Sequence, residues 1–440
     1  MNRILEVNDK HCYALVEPGV TFFDLYDHCK KKSLKVYPSV PSLGWGSIVG
    51  NTLDRGWGYT PLGEHCLAQC GMEVVLPTGQ VLRTAMGAIA DSSTWQCFKP
   101  GYGPSLDSLF FQSNFGIVTK MGIWLYPQQE GFMSCNVSID LEEDLVVLVD
   151  KLTRLYQSDV LQNHPVIGNV IRTLAASGPR DQVFRGTGAI PDDIIDAIRK
   201  QRGWGFWNAR FAFYGSETMM NARWSAIQAA FSDVKGCKLT NETFLARDSS
   251  RLLRADEVSV SESGGTQIGL PNLLRLQSIK FRGTNGGHIT FSPVLPPDGD
   301  AVFQFYLVGK EISAKHGFDF YAGFHLYPHH LNHLNLLYYD NDSEQEKAAA
   351  HACFLELLNS ARARGYSEYR THLNFMDVVA AQYDFNNHIH LRFTQVLKDV
   401  IDPNGILAAG KSGIWPREYR KSKTDQGLGL LSSLSHRGRL

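Results

Sequence analysis

One short segment carries the side chains best suited to hold a charged ligand: Glu368-Tyr369-Arg370-Thr371-His372. An arginine keeps its charge at any working pH and offers a planar fork of donors, and a tyrosine hydroxyl can donate a hydrogen bond to a phenolate oxygen. Tyr369 and Arg370 together are therefore suited to hold a phenol as its anion. The same residues also fit a salt bridge at the end of a strand, so the segment alone leaves both interpretations open.

A second segment, "SLGWGSIVGNTLDRGWGYTP", offers bare backbone in place of reactive side chains. It contains Gly44, Gly46, Gly50, Gly56 and Gly58. Glycine lets a main-chain amide approach a ligand closely or adopt positive φ, and a row of such amides suits a pyrophosphate or a flat polar ring. The spacing matches neither the dinucleotide-binding fingerprint nor a P-loop. Tight turns in a β-rich domain explain the glycines equally well.

Histidines are the remaining candidates for chemistry. His288, in "NGGHITFSP", precedes an apolar strand, where a structural role is the ordinary interpretation. His325, His329, His330 and His333 cluster in "GFHLYPHHLNHLNLLYY", and histidine suits proton transfer near neutral pH. If that stretch is one strand, His325 and His329 share a face and His330 lies on the other, which is poor for a three-histidine metal site. We therefore expect no metal, and a pocket-lining role for His325 or His333.

The rest of the chain must position these groups, and its composition is typical of a globular protein with two or three domains. The 440 residues are 43% hydrophobic and 20% charged, with a formal net charge of -1. This near-neutral balance argues against a nucleic-acid binder. No run reaches the roughly 18 to 20 apolar residues that span a bilayer, and the amino end lacks the order of a signal peptide. We expect a cytoplasmic protein without a membrane partner.

Local patterns divide the chain into two kinds of structure. In the first third, "VVLPTGQVLRT" predicts a β-hairpin, and "TFFDLYDHCKKKSL" predicts a short helix capped by Thr21. From about Glu130, amphipathic helices such as "EEDLVVLVDKLTRLYQSDVL" alternate with strand-like pieces such as "GFWNARFAFYG", a pattern typical of a second, α+β domain. Near the carboxyl end, "NNHIHLRFTQVLKDVID" predicts a further helix.

Several longer motifs resemble one family of flavoproteins. In chain order they are "LVEPGVTFFDLYD", "GNTLDRGWGYTPLGEH", "GMEVVLPTGQVLRTAMGA", "GYGPSLDSLFFQSNFGIVTKMGIWLYP", "EYRTHLNFMD" and "DPNGILAAGKSGIWP". Together they are similar to vanillyl-alcohol oxidase and para-cresol methylhydroxylase (4-cresol dehydrogenase), from Met1 to about Trp415. The resemblance implies an α+β fold, with a PCMH-type FAD-binding domain at 1–128 and 368–440 and an α+β substrate (cap) domain at 129–367. In the family a glycine-rich lobe precedes the first motif, so we expect an N-terminally truncated FAD-binding domain.

The family also implies a reaction and roles for particular residues. It implies FAD as cofactor and oxidation of a para-substituted phenol or aromatic alcohol at its benzylic carbon, by hydride transfer to the flavin. Tyr369 and Arg370 would hold the phenolate. His288 would be the covalent flavin anchor, because its segment is similar to the family's "G-x-H-x-x-x-S-P" and no tyrosine lies between Pro271 and His288. The other cofactor-binding positions are implied to be Ser42, Leu43, Gly46, Ser47, Gly50, Asn51, Asp54, Gly56, Tyr59, Gly116, Ile117, Val118, Arg370 and Lys411.

The acids depart from the family pattern. Ser42, Arg275 and Gly323 stand where one or another member has a carboxylate, so no general base is evident, and His325 becomes the candidate for that role. We expect a homodimer with a small phenolic substrate. A separate cytochrome is a candidate electron acceptor, since no C-x-x-C-H haem site occurs in this chain. Two alternatives stay open: a catalytically silent paralogue acting as a binding or scaffold protein, and a flavin oxidase of a different alcohol.

Overall fold

The computed structural model of the protein describes residues 1–248 and 251–420, without the side chains of residues 262 and 263. The part of the predicted carboxyl-terminal segment beyond residue 420 lies outside this description. In the first third the strands are β1 (Ile4–Asn8), β2 (Tyr13–Val16), β3 (Val36–Tyr37), β4 (Gln69–Val75), β5 (Val81–Arg83), β6 (Ile117–Trp124) and β7 (Tyr126–Pro127). Within the described residues they form a five-stranded antiparallel sheet, in the order β1-β2-β6-β4-β5, and a small β3-β7 pair.

Three helices accompany this sheet: α1 (Phe22–Lys31), α2 (Ile48–Leu53) and α3 (His65–Ala68). The prediction of α1 is confirmed: Thr21 and Asp24 form a capping box at its start. Phe22, Leu25 and Cys29 form its buried face. The predicted hairpin is also confirmed, since β4 pairs with β5 across the Pro-Thr-Gly-Gln turn.

A larger sheet follows, built from β8 (Gly131–Ile139), β9 (Val166–Asn169), β10 (Trp207–Gly215), β11 (Lys238–Leu245), β12 (Gly286–Phe291), β13 (Val294–Leu295), β14 (Gly323–Leu326) and β15 (Leu331–Asp340). Over the described ranges its order is β11-β8-β10-β9-β14-β15-β12, and β13 pairs with β15. The helices of this part are α4 (Leu145–Gln157), α5 (Val170–Ser177), α6 (Asp192–Arg202), α7 (Glu217–Phe231), α8 (Glu262–Gly265), α9 (Arg275–Ser278), α10 (Gly299–Lys315) and α11 (Glu344–Ala363).

Successive side chains of β10 face opposite sides of the larger sheet and pack in two different hydrophobic clusters. Trp207, Phe211 and Phe213 belong to the core beneath α4, α7, α10 and α11. The intervening residues point to the opposite face, where Tyr214 packs in a smaller cluster that contains Tyr37 of β3. That face of the larger sheet therefore lies against the first sheet's part of the molecule.

The chain then returns to the first sheet through α12 (Met376–Ala380) and α13 (Phe385–Ile401). Lys398 near the end of α13 is fully buried, and its Nζ donates to Asp402 Oδ2 at 2.7 Å and to the carbonyl oxygen of Asn114 at 2.8 Å. This buried ion pair fixes the returning segment against the residues just before β6. The helix predicted near the carboxyl end is present, but Asn386, Asn387 and His388 in its first turn have left-handed backbone angles.

The expectation of one strand through the histidine-rich stretch is wrong. Residues 327–330 form the connection between β14 and β15, because Pro328 and His329 interrupt the pairing, and His325 pairs with Asn332 while Phe324 pairs with His333. His333 is completely buried among phenylalanine rings, with Phe324 at 4.7 Å, and its pocket-lining role stays a prediction. No group of three metal-ligating side chains is found in the part of the chain that the structure describes.

Candidate functional site

The segment 368–372 lies beside the strand that carries His288. Pro293 and Glu368 form an antiparallel bridge, and the Tyr369 amide donates to the Ser292 carbonyl oxygen at 3.2 Å. His288 lies on β12, and the pKa of its imidazole is lowered by desolvation and by the charge of His372. The fold thus places the strand of the predicted anchor so that its following residues, Ser292 and Pro293, lie against the segment of the predicted phenolate-binding pair.

A cleft of about 480 Å³ opens at this segment, between the first sheet's part of the molecule and the returning helices. Tyr369 and Arg370 lie on its wall with Asp54 and Lys411. Lys411 Nζ lies 2.7 Å from Asp54 Oδ1, which ties the carboxyl-terminal segment to the end of α2. Four of the residues named from the sequence therefore share one cavity.

Tyr369 and Arg370 are positioned as a pair of free donors. The Arg370 guanidinium carbon lies 5.4 Å from the centre of the Tyr369 ring. The Tyr369 hydroxyl is buried without a hydrogen-bond partner among the described residues. Its pKa is raised by desolvation, an effect that the Arg370 charge partly opposes. Arg370 forms no ion pair with any described residue, so the alternative of a salt bridge between Glu368 and Arg370 is wrong.

Glu368 is a site residue whose environment the sequence did not reveal. Its side chain is 3% exposed, and Oε1 accepts a hydrogen bond from the Ser292 amide at 2.5 Å. Oε2 has no partner among the described residues. Burial raises the pKa of this carboxyl to about 8, although the Ser292 amide and the Arg370 charge act in the opposite direction. A protonated carboxyl, able to donate a hydrogen bond, therefore lies next to Tyr369 at neutral pH.

Trp57, in the glycine-rich segment, is a second site residue that sequence reasoning missed. Its ring stacks on Tyr369 at 4.6 Å and, on the other side, on His325 at 4.4 Å. His325 Nδ1 lies 3.1 Å from His164 Nε2. Desolvation, aided by the charges of His164 and nearby arginines, holds the pKa of His325 well below its usual value. His325 is therefore neutral at pH 7 and separated from Tyr369 by an indole ring.

Some glycines of the glycine-rich segment are required for close packing inside the protein. None of the five has a positive φ, so that part of the expectation is wrong. A Cβ on Gly56 would lie 2.3 Å from Asn51 Oδ1, and one on Gly58 would lie 2.2 Å from Ser39 Oγ. Gly46 and Gly50 would meet only ordinary contacts. Gly56 and Gly58 therefore allow close packing on either side of Trp57, which forms an antiparallel bridge with Glu64.

Several predicted cofactor-binding residues have a structural contact of their own. Ser47 caps α2 by accepting from the Gly50 amide at 3.0 Å, and the Leu43 carbonyl oxygen accepts from the Gly46 amide. Asn51 Oδ1 lies 2.6 Å from His65 Nδ1. Gly116, Ile117 and Val118 lead into β6, where the last two pair with β4; their neighbour Phe115 lines the cleft.

Ser42 and Tyr59 are not among the residues that line the cleft beside Tyr369 and Arg370. The Ser42 hydroxyl is 2.5 Å from the Tyr59 hydroxyl, and Ser42 lines a second cavity together with Arg275. Gly323 borders the same region, since a Cβ there would lie 3.6 Å from Arg172 Cδ. The three positions that depart from the family's acids therefore lie close together around one cavity.

Comparison with known proteins finds two families that match separate parts of the chain. Residues 1–85 match the family described as an FAD binding domain, and residues 281–412 match the C-terminal domain of FAD linked oxidases. The flavoprotein subunit of 4-cresol dehydrogenase [hydroxylating] from Pseudomonas putida is 39% identical over 418 residues, which cover 94% of this chain and 77% of the relative.

Solved structures agree with that relationship. The 4-ethylphenol oxidase from Gulosibacter chungangensis, in complex with isoeugenol, superposes with a TM-score of 0.88 at 34% identity, over 95% of this chain and 80% of that one. The p-cresol methylhydroxylase structure with substrate bound also gives 0.88, at 36% identity, over 94% and 78% of the two chains.

These findings define an FAD-dependent oxidoreductase with a PCMH-type FAD-binding domain and a C-terminal FAD-oxidase domain. The chain belongs to the family of the 4-cresol dehydrogenase flavoprotein subunit and p-cresol methylhydroxylase. Across the described residues, no helix is both long and apolar enough to cross a bilayer.

The residues along the cleft fit FAD. Arg55, Arg370 and Lys411 bring positive charge to its wall, which suits a diphosphate and an electron-accepting ring. The Tyr369 hydroxyl is a buried polar atom without a partner among the described residues, and such an atom is costly unless a ligand satisfies it.

Proposed function

We propose that the protein oxidises para-substituted phenols at the benzylic carbon. The observation that carries the proposal is that Tyr369 and Arg370 lie together on the wall of the cleft, and that among the described residues the tyrosine hydroxyl has no hydrogen-bond partner and the guanidinium forms no ion pair. Buried donors without acceptors favour a ligand that brings an anionic oxygen. A phenolate meets that need, and the related 4-ethylphenol oxidase and p-cresol methylhydroxylase are also named after phenols.

The two donors have distinct tasks. Arg370 stabilises the negative charge of the phenolate and thereby lowers the pKa of the bound phenol. Tyr369 donates a hydrogen bond to the same oxygen and fixes its position. The ionised ring pushes electron density to the para carbon, which makes loss of hydride from the benzylic position easier. FAD, when bound, supplies the two-electron acceptor for that hydride.

Other side chains shape the site around the ring. Trp57 stacks on Tyr369 and neutral His325 stacks on Trp57, so the three rings pack together beside the cleft. Because its pKa is raised to about 8, Glu368 is protonated near neutral pH and adds no second negative charge beside the phenolate. We propose His288 as the covalent attachment point of the flavin, because it lies on the strand next to the 368–372 segment.

We also propose the bounds of the two domains, the oligomeric state and the electron acceptor. Residues 1–128 and 368–440 would form the FAD-binding domain and 129–367 the substrate domain. We propose a homodimer, and a cytochrome as the electron acceptor, since the Pseudomonas putida relative is described as a flavoprotein subunit.

The experiment compares 4-ethylphenol with 4-ethylanisole as substrates for the holoprotein. The two have the same ethyl group, but the methyl ether cannot ionise. We expect turnover of the phenol alone. Equal rates for both compounds would contradict the role of the phenolate, and turnover of neither, with oxidation of a non-phenolic alcohol, would favour a different alcohol as substrate.

A further inference from the structure

A second cavity, of about 490 Å³, lies between β9, β10 and α9, and three arginines line it: Arg172, Arg210 and Arg275. The rest of its lining is mainly polar and uncharged, and includes Ser42 and Asn208. None of the lining residues that the structure describes is an aspartate or a glutamate. The cavity is thus strongly positive, in a chain whose overall charge is close to zero.

The three guanidinium groups lack acidic partners. Among the residues whose side chains the structure describes, none of the three forms an ion pair. Arg172 Nε donates to the Tyr321 hydroxyl at 3.1 Å. Arg210 Nε and Nη1 are buried without any partner in the described part of the chain. At least two strong donors therefore have no hydrogen-bond acceptor among the described residues.

This arrangement is unfavourable unless a ligand completes it. Desolvation, followed by the charges of Arg172 and Arg275, lowers the pKa of Arg210 to about 9. A buried charge that is neither paired nor hydrogen-bonded costs free energy. A carboxylate offers two oxygens that match the planar fork of an arginine.

A chain of ring contacts connects the arginines of this cavity with the phenol-binding pair. The Arg210 guanidinium lies 4.6 Å from the Tyr59 ring, and Tyr59 lies 5.8 Å from His325. His325 stacks on Trp57, which stacks on Tyr369. A row of three aromatic rings, Tyr59, His325 and Trp57, therefore joins the arginines to Tyr369.

We propose that the arginine-lined cavity binds a carboxylate at the end of the para side chain of the phenolic substrate. This inference deepens the proposed function and rests on it for the phenol end of the ligand. Because one row of rings contacts both the arginines and Tyr369, we favour one molecule with an anion at each end over two separate ligands. The substrate class is then a 4-hydroxyphenyl alkanoic acid, which distinguishes this protein from an oxidase of simple alkylphenols.

The test measures binding by titration calorimetry at pH 7, with the holoprotein and two matched ligands. These are 3-(4-hydroxyphenyl)propanoate and its methyl ester, which share the phenol and differ in charge. We expect the acid to bind at least tenfold more tightly than the ester. Arg275→Gln and Arg210→Gln should each weaken binding of the acid by roughly ten- to a hundredfold, the usual value of a hydrogen bond to a charged group. Both variants should bind the ester with an affinity within about threefold of that of the parent protein. Arg254→Gln, at an exposed arginine paired with Asp256, is the control and should change neither.

Two results overturn the proposal: equal affinity of acid and ester in the parent protein, or tighter binding of the acid that survives both substitutions. If the acid binds only after Tyr59→Phe, the Tyr59 phenolate is the counter-ion of the arginines, and the proposal is also wrong. Arg275, on the short helix α9, provides a readout if Arg210→Gln does not fold. Because binding is measured apart from turnover, an arginine-dependent preference for the acid without oxidation would support the cavity's role and refute the proposed reaction.

Discussion

Replacing Arg370 by leucine removes the only guanidinium that contacts the Tyr369 ring among the described residues. If Arg370 carries the charge that stabilises a phenolate, the variant should lose activity on 4-ethylphenol. Breaking a buried ion pair costs roughly 3 to 5 kcal/mol. Arg370 is half-buried on the cleft wall, so solvent screens part of the interaction and we take the lower end of that range. At about 1.4 kcal/mol per factor of ten, kcat/KM should fall by about two orders of magnitude.

The assay follows steady-state oxidation of 4-ethylphenol and, separately, the red-shifted absorbance of bound phenolate. Arg370→Lys keeps the charge but not the fork, and should recover part of the activity. The matched control is Arg364→Leu, at an exposed arginine that bonds only to Ser360 among the described residues. A folded Arg370→Leu protein that retains its flavin and oxidises 4-ethylphenol within a few-fold of the parent would refute the assignment of the phenol site.

Two further predictions concern neighbours of that pair. His288→Ala should release the flavin on acid precipitation while the parent protein stays yellow; colour that washes out of the parent would contradict a covalent link. Glu368→Gln should remove a pH dependence of stability. The folded pKa of about 8 lies above the ordinary 4.5, so the parent loses several kcal/mol of unfolding free energy as pH rises between these values, at about 1.4 kcal/mol per unit. Chemical denaturation at pH 5 and pH 8 measures this loss of unfolding free energy. The surface variant Glu344→Gln is the control and should show the same loss as the parent. If Glu368→Gln also shows the full loss, the pH dependence belongs to other groups.

The sequence was most informative where structure is local. Thr21 followed by Asp24 predicts the start of α1, and the Pro-Thr-Gly-Gln turn predicts the β4–β5 hairpin, because caps and turns depend on neighbouring residues. The motif around Tyr369 and Arg370 indicated the phenol site for a different reason, its resemblance to a family. Neither kind of signal depends on long-range packing.

Features that depend on strand pairing could not be predicted. Arg172, Arg210 and Arg275 lie far apart in the sequence and meet because β9 pairs with β10 and α9 packs on α5. Arg210 points to the cavity because it alternates with the core residues Ala209 and Phe211. The burial of Glu368 likewise follows from its bridge to Pro293. Periodicity also suggested one strand through the histidine-rich stretch, whereas the turn at Pro328 divides it into two.

The most direct test of the proposed reaction is to mix the holoprotein with 4-ethylphenol in the absence of oxygen and follow the flavin absorbance. We expect the absorbance to bleach, and deuterium at the benzylic carbon to slow the bleaching, because the carbon–hydrogen bond is broken in that step. Absorbance that stays unchanged with 4-ethylphenol and with 3-(4-hydroxyphenyl)propanoate, in a protein whose flavin a chemical reductant does bleach, would contradict benzylic oxidation of phenols by this protein.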